Sequence, residues 1–387
     1  MGYIGYRIGL STKAALRQTG RQVGSLSRSY ATTSRAIIYS QYGEPVDMVR
    51  PYEHQIESEP KDNQVLLRLL AAPINPADIN QIQGVYPRRP AFTTKLGTSE
   101  PTVAAGNEGV FEVVKTGSKV TNCKPGDWAL PGVSDFGTWR TWAIAESADL
   151  NPITEHSNLT PVQAAMVSVN PTTAFQMLRE FVDLKPGDWF IQNGANSAVG
   201  RAAIQIGRMR GLRSINVVRD RPDFDAMKEE LTSLGADHVI TEEQAASREF
   251  QSTIDSWTQK APIQLALNCV GGKSATSISR KLAFGGHLVT YGAMSKKPLT
   301  MGNGQFIFQN IHAHGYWLSE WARQHPEDKK KLERDILKLI SEGKFKTGPV
   351  TTNKWTDGQT EEEFGETFKK AMQASLDGSG KQVMVYE

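Results

Sequence analysis

Two rhythms of apolar and polar positions divide the chain. From Arg35 to about Ile153, short apolar runs alternate with turn residues. "RAIIYSQYG" predicts a strand ending on glycine, and "QVLLRLLAAPIN" a strand that stops at Pro73 and Pro76. "KPGDWALPG" predicts a turn feeding a strand. Long helical periodicity is scarce, so this half reads as β-rich. After Asn170 the rhythm changes. "DWFIQNGA", "SINVVRD", "DHVIT", "IQLALNCVGG" and "HLVTYGA" predict strands. "AVGRAAIQIGRMRG", "DFDAMKEELTSLG", "SREFQSTIDSWTQK" and "SATSISRKLAFGG" have helical apolar spacing and lie between them. Apolar strands separated by helices predict an α/β arrangement with a doubly wound parallel sheet. Beyond it, "HAHGYWLSEW" reads as extended, "PEDKKKLERDILKLISEG" as helix, and a mixed tail ends in the strand "KQVMVYE".

Charge sets the N-terminus apart. No acidic residue precedes Glu44, while Arg7, Lys13, Arg17, Arg21 and Arg28 stand among Ser, Thr, Ala and Leu. On a helix these make a basic amphipathic face, as in a mitochondrial transit peptide, and Arg28-Ser29-Tyr30-Ala31 resembles a processing site. The competing reading is a basic arm for nucleic acid or membrane. Loss of residues 1–30 removes five positive charges and no negative one, taking the net charge from +3 to −2. A nucleic-acid-binding protein built on this scaffold is therefore disfavoured. No run of eighteen apolar residues occurs, so no membrane span is expected. Cys123 and Cys269 are the two cysteines, which excludes a disulfide framework and a Cys-x-x-Cys zinc site.

"FIQNGANSAVGRAAIQIG" places Gly194 and Gly200 between a predicted strand and helix, the setting of a dinucleotide-binding turn. The strict Gly-x-Gly-x-x-Gly is absent, since Ala195 and Ser197 hold its first two glycine positions. Ser197, Ala198, Val199 and Gly200 are candidates to meet the pyrophosphate at the helix start. The next strand ends in Arg219-Asp220-Arg221. An acidic tip suits the ribose of NAD, whereas arginines suit the 2′-phosphate of NADP, so two guanidinia favour NADPH.

The blocks "AAGNEGVFEVVKTGSKVTNCKPGDWALP" and "NGANSAVG" resemble the medium-chain dehydrogenase/reductase superfamily. "NPADINQIQGVYP", "FGTWRTWA", "SVNPTTA", "NCVGGKSA", "YGAMSKKP" and "HAHGYWLSEW" are similar to its mitochondrial trans-2-enoyl-thioester reductases. The resemblance runs from about Arg35 to the C-terminus. It implies a GroES-like catalytic domain over 31–169 and 323–387 and a Rossmann-type cofactor domain over 170–322. It also implies reduction of enoyl thioesters in mitochondrial fatty-acid synthesis, with the enzyme in the matrix. The expected substrates ride on acyl carrier protein or CoA, and a homodimer joined through the cofactor-domain sheets is expected. The nearest rival is an NADPH quinone oxidoreductase of the same superfamily.

Many superfamily members carry a zinc-binding histidine where this chain has Asn107. None of the seven histidines has a metal-ligand spacing with a plausible partner, so a zinc-free reaction is expected. Reduction of a conjugated C=C then needs a neutral proton donor, and a phenol serves. By resemblance that donor is Tyr86 in "QIQGVYPRRP". The resemblance also brings Asn170, Tyr291, Gly292, Ala293, Met294, Tyr316, Trp317, Leu318 and Lys381 to the cofactor. From the residues alone, Asn170 before Pro171 reads equally as a helix N-cap, and Lys381 as an exposed turn lysine. Phe136, Trp139 and Trp142 are candidates for an acyl pocket or for core. Arg88 and Arg89 are candidates for a basic entrance to an acidic carrier.

Overall fold

The structure, a computed structural model, describes residues 31–387; the segment 1–30, with its reading as a transit peptide, lies outside the described residues. Gln64–Pro73 is the central strand of the first half. It is nearly all apolar because it is covered on both faces. It pairs antiparallel with Val110–Thr116, Trp142–Glu146 and Lys381–Tyr386 in a seven-stranded sheet. The last strand of the chain thus returns to the first half, with Val383 opposite Pro73. A smaller sheet joins Arg50–Glu57, Ala31–Tyr39 and Val103–Ala104. Ile37, Leu67, Phe111, Trp139, Phe364 and Phe368 form the shared core.

The second half is a six-stranded parallel sheet. Its order is His238–Thr241, Arg213–Val218, Trp189–Asn193, Ile263–Asn268, His287–Thr290, His312–Gly315. Strand order reverses direction beside Trp189–Asn193. Such a switch point opens a crevice at the carboxyl ends of the strands. Leu70, Val110, Leu130 and Val383 of the first half share one buried cluster with Met177, Phe190, Leu267 and Ile336. Each large side chain buried in such a layer contributes about 1.5–3 kcal/mol, so the two halves are held by an apolar seam.

Four elements depart from the sequence reading. The first strand begins at Ala31, where pairing with Arg50–Glu57 extends it. That partner strand carries mostly polar residues because much of it faces solvent, which hid it. The segment read as extended contains the strand His312–Gly315 and then the helix Leu318–Gln324. The mixed tail contains the helix Glu361–Leu376, started by a Thr360 capping box, with Phe364, Phe368 and Met372 buried at four-residue spacing. Among the described residues, no helix is long and apolar enough to cross a membrane.

Candidate functional site

The crevice begins where Trp189–Asn193 ends. Gly194 has φ of +58°, and a Cβ there would lie 2.4 Å from Cys269 Sγ, so glycine alone fits. Ser197 caps the helix Ala198–Met209 by accepting the Gly200 N–H at 3.1 Å. A Cβ on Gly200 would come within 2.5 Å of Ala195 O, which shows how closely helix and strand approach. First-turn N–H groups of a helix point outward, where an anionic ligand can take them.

Neighbouring strand tips are stitched together. Asn193 Nδ2 donates to Asn268 Oδ1 at 2.9 Å, and the Cys269 N–H donates to Asn193 Oδ1 at 2.9 Å. Sequence reasoning missed this pair, because nothing local marks two asparagines 75 positions apart as partners. Arg219 and Asp220 follow Arg213–Val218 on the surface, with Arg221 half-buried. Among the described residues none of the three side chains is engaged in a hydrogen bond or ion pair, which suits two free guanidinia awaiting a phosphate.

Tyr291, Gly292, Ala293 and Met294 leave the sheet after His287–Thr290, with the Met294 N–H donating to Cys269 O at 2.9 Å. Tyr291 Oη is buried beside Cys269 and Ser197 without a completed hydrogen bond. Tyr316 Oη is likewise buried and unpartnered. Burial pushes both phenols up, so both keep their protons. A buried Tyr316 hydroxyl without a partner, and a Tyr291 hydroxyl with only Cys269 and Ser197 beside it, suit a polar ligand at the strand ends.

The opposite wall comes from the first half. The helix Pro76–Ile82 ends near Gly84, and the Val85 and Tyr86 N–H groups donate to Asn80 O at 3.0 and 3.1 Å. Tyr86 Oη accepts the Trp317 indole N–H at 2.7 Å, and its ring meets that indole edge-on at 5.9 Å. Ser319 Oγ lies 3.3 Å away. An indole nitrogen only donates, so the phenol's own proton is left to point elsewhere. Residues 231 positions apart are thereby joined across the cleft. Ser319 carried no signal in the sequence.

Behind Tyr86 lies a buried polar cluster. Lys381 Nζ donates to Asn75 Oδ1 at 2.5 Å and to Ile74 O at 3.1 Å. Asn170 Nδ2 donates to the same Asn75 oxygen at 3.3 Å. Glu108 accepts from Asn75 Nδ2 and from the Val169 N–H, both at 2.7 Å. Asp78 accepts from the Asn75 N–H at 2.8 Å and from Asn107 Nδ2 at 2.7 Å. Burial raises both carboxyls and lowers Lys381, and their opposite charges partly offset each shift.

The cluster corrects two local readings. Asn170 does not cap its helix: Asn170–Glu180 starts at Asn170 with Val169 in the cap position. Glu108 takes the Val169 N–H and Asn75 takes the Asn170 amide, so tertiary partners replace the cap. Lys381 is not a free turn lysine, because its ammonium is turned into the cluster. Arg88 and Arg89 also serve differently from a free basic entrance. Arg88 pairs with Asp135 at 2.8 Å, and Arg89 folds back onto Gly84 O at 2.8 Å and over the Tyr42 ring. Trp139 is fully buried against Phe368 and belongs to the core. Among the described residues, no group of three or more His, Cys, Asp or Glu side chains is arranged to hold a metal ion.

Two stretches of the chain match family models. Residues 61–150 match the alcohol dehydrogenase GroES-like domain, and residues 198–336 match the zinc-binding dehydrogenase family. A mitochondrial enoyl-acyl-carrier-protein reductase of Yarrowia lipolytica is 50% identical over 370 residues, which cover 96% of each chain. A solved complex of Etr1p with NADP and crotonyl-CoA superposes with a TM-score of 0.88 at 42% identity, over 92% of this chain and 100% of that one. The Etr1p/Etr2p heterodimer of Candida tropicalis, a mitochondrial 2-enoyl thioester reductase, matches with the same TM-score, identity and coverage.

Proposed function

Because the chain belongs to the mitochondrial enoyl-acyl-carrier-protein reductases of the medium-chain dehydrogenase/reductase superfamily, we propose that Tyr86 is the proton donor of its reaction. The protein is a mitochondrial NADPH-dependent reductase of trans-2-enoyl thioesters. When bound, NADPH supplies a hydride to the β carbon. Negative charge then builds on the α carbon and the thioester oxygen of the substrate, and this chain must balance that charge and deliver one proton.

One observation carries the assignment. Tyr86 Oη accepts from Trp317 Nε1, so the indole leaves the phenol its own O–H to donate, with Ser319 Oγ at 3.3 Å as a neighbour that can give or take a proton, while the indole N–H offsets charge left on the phenol oxygen. In this reading Ser197, Ala198, Val199 and Gly200 take the pyrophosphate. Arg219 and Arg221 take the 2′-phosphate, with Asp220 on the ribose. Asn170, Tyr291 to Met294, Tyr316 to Leu318 and Lys381 border the nicotinamide side. The GroES-like unit, 31–169 with 323–387, supplies the donor, and the Rossmann unit, 170–322, supplies the cofactor site.

The physiological carrier is acyl carrier protein, with CoA thioesters as soluble equivalents. The working species is a homodimer joined along His312–Gly315. Among the described residues that strand pairs on one side only, and exposed Phe284, Phe306, Ile307 and Phe308 lie close to it in the chain or along the same hydrogen-bonded edge. Sedimentation of the purified protein reads the dimer directly.

The test of the chemistry is NADPH consumption with crotonyl-CoA and, separately, with a quinone. Tyr86→Phe is expected to lower kcat by a factor on the order of 10² to 10⁴, with crotonyl-CoA as substrate. Fast quinone turnover without crotonyl-CoA turnover overturns the reaction. Full activity in Tyr86→Phe overturns the donor role alone.

A further inference from the structure

Asn107 stands where a metal-binding histidine would be, yet both donors of its side-chain amide are taken. Its Nδ2 donates to Asp78 Oδ1 at 2.7 Å and to Gln81 Oε1 at 2.8 Å. With its oxygen taken, the Gln81 amide must present its nitrogen on the other side. That Nε2 donates to Asp135 Oδ1 at 2.9 Å and to Arg88 O at 3.4 Å. The second oxygen of Asp135 accepts from Arg88 Nε at 2.8 Å. The chain of contacts therefore runs from Asn107 through Gln81 and Asp135 to Arg88, two residues past Tyr86, with only Pro87 between.

This polar chain ties the loop to the body of the first half. Val85, beside Tyr86, is 68% exposed. The loop is also held by backbone bonds to Asn80 O, by Arg89 on Gly84 O and over the Tyr42 ring, and by the Tyr86 contact with Trp317. Asp135 itself sits at φ +61°, in the left-handed region where Asp and Asn are the favoured non-glycine residues. Its two oxygens are spent on two different segments, the helix Pro76–Ile82 and the loop after it. A proton donor misplaced by about 1 Å costs up to about 100-fold in rate, so a clamp at this point governs chemistry.

We propose that Asp135 is a positioning residue for the protonation step, joining Gln81 to Arg88 and thereby setting the Tyr86 phenol against Trp317. The proposal rests on Tyr86 as the proton donor. It makes Asn107 the far anchor of the same clamp, so the position that serves a metal in related folds here serves the loop.

The test is a double-mutant cycle on the full-length enzyme. Asp135→Asn keeps a residue tolerant of the left-handed backbone but replaces one acceptor oxygen with a donor. Expected is a fall in kcat with crotonyl-CoA of about tenfold, with the NADPH dissociation constant and Tm unchanged. In a Tyr86→Phe background the same substitution is expected to cost less than about twofold, because partners in one network are not additive. An equal fall in both backgrounds makes Asp135 merely structural and overturns the proposal, as does no fall in either. If Asp135→Asn does not fold, Arg88→Gln breaks the other end of the clamp and is read in the same way. A fully active Tyr86→Phe removes the donor reading itself, an outcome distinct from a Tyr86-dependent enzyme that ignores Asp135.

Discussion

On one wall of the cleft, Asn75, Asp78, Glu108 and Lys381 meet one another, and every polar contact there is made within the chain. On the other wall the Tyr316 hydroxyl is buried without a hydrogen-bond partner, the Tyr291 hydroxyl has only Cys269 and Ser197 beside it, and Arg219 and Arg221 carry no ion pair among the described residues. The first wall is complete in the free protein, so damage to it acts on folding and on the placement of Tyr86. In the proposed reading the second wall is completed by the cofactor, so damage to it is expected to act on binding and leave the fold alone.

The sharpest way to break that contrast is Glu108→Ala. It leaves the Asn75 amide and the Val169 N–H buried without their acceptor. At about 1–3 kcal/mol for each orphaned group, unfolding in urea is expected to show a loss of roughly 3 kcal/mol. A loss below about 1 kcal/mol would mean that water enters this wall and that it is not closed.

Arg219→Ala tests the other wall. NADPH affinity is expected to fall about tenfold through loss of a charge-assisted bond, while NADH affinity and Tm stay as they were. A matching fall for NADH would show that Arg219 does not read the 2′-phosphate.

The smallest effect belongs to the outer edge of the cofactor sheet. His287 Nδ1 lies 2.9 Å from His314 Nε2, and His312 stacks on His287 at 4.8 Å. Burial first, then the neighbouring rings, lowers His287 and His314 from the ordinary value of 6.5. From the elements packed around them, Phe181 and Asn310 are the other side chains in contact, neither of them charged. A base lowered on folding binds its proton more readily when unfolded. Its stabilisation is therefore present above the unfolded value and lost as pH falls through it towards the lower folded value. The wild type is expected to lose up to about 1 kcal/mol more than His314→Gln between about pH 7 and about pH 5, measured as the difference in Tm shift. Parallel curves would remove the histidine contribution.

Much of the cofactor side was legible because its signals are local. The small-residue turn and the arginine-flanked strand tip lie within thirty residues of each other, and each apolar strand and helix is read from its own short stretch. The helix Glu361–Leu376 went unread as part of a mixed tail, although its signals, Thr360 and the four-residue spacing of Phe364, Phe368 and Met372, are local. The catalytic wall was not legible. Gln81 meets Asp135 across 54 positions, and Asn75 meets Lys381 across 306. Residue type alone does not reveal such pairings, because Asn, Gln and Asp are equally common at turns and caps. Resemblance marked Tyr86, but the clamp around it was visible only once the strands and loops were brought together.

The pentapeptide Lys-Pro-Gly-Asp-Trp, present twice, separates the two kinds of determination. At 124–128 and at 185–189 the glycine takes φ of +90° and +94°. In both copies the aspartate carboxylate accepts the lysine N–H, at 2.9 and 2.7 Å. The turn was decided by the five residues, because its glycine conformation and the two Lys–Asp hydrogen bonds that close it lie within them. The tryptophans went separate ways. Trp128 stacks on His156 at 4.3 Å in the antiparallel sheet of the first half. Trp189 is buried in the parallel sheet, with the Arg213 guanidinium 5.0 Å over its ring. What each indole touches depends on strands that arrive from elsewhere in the chain, and only the tertiary structure could decide that.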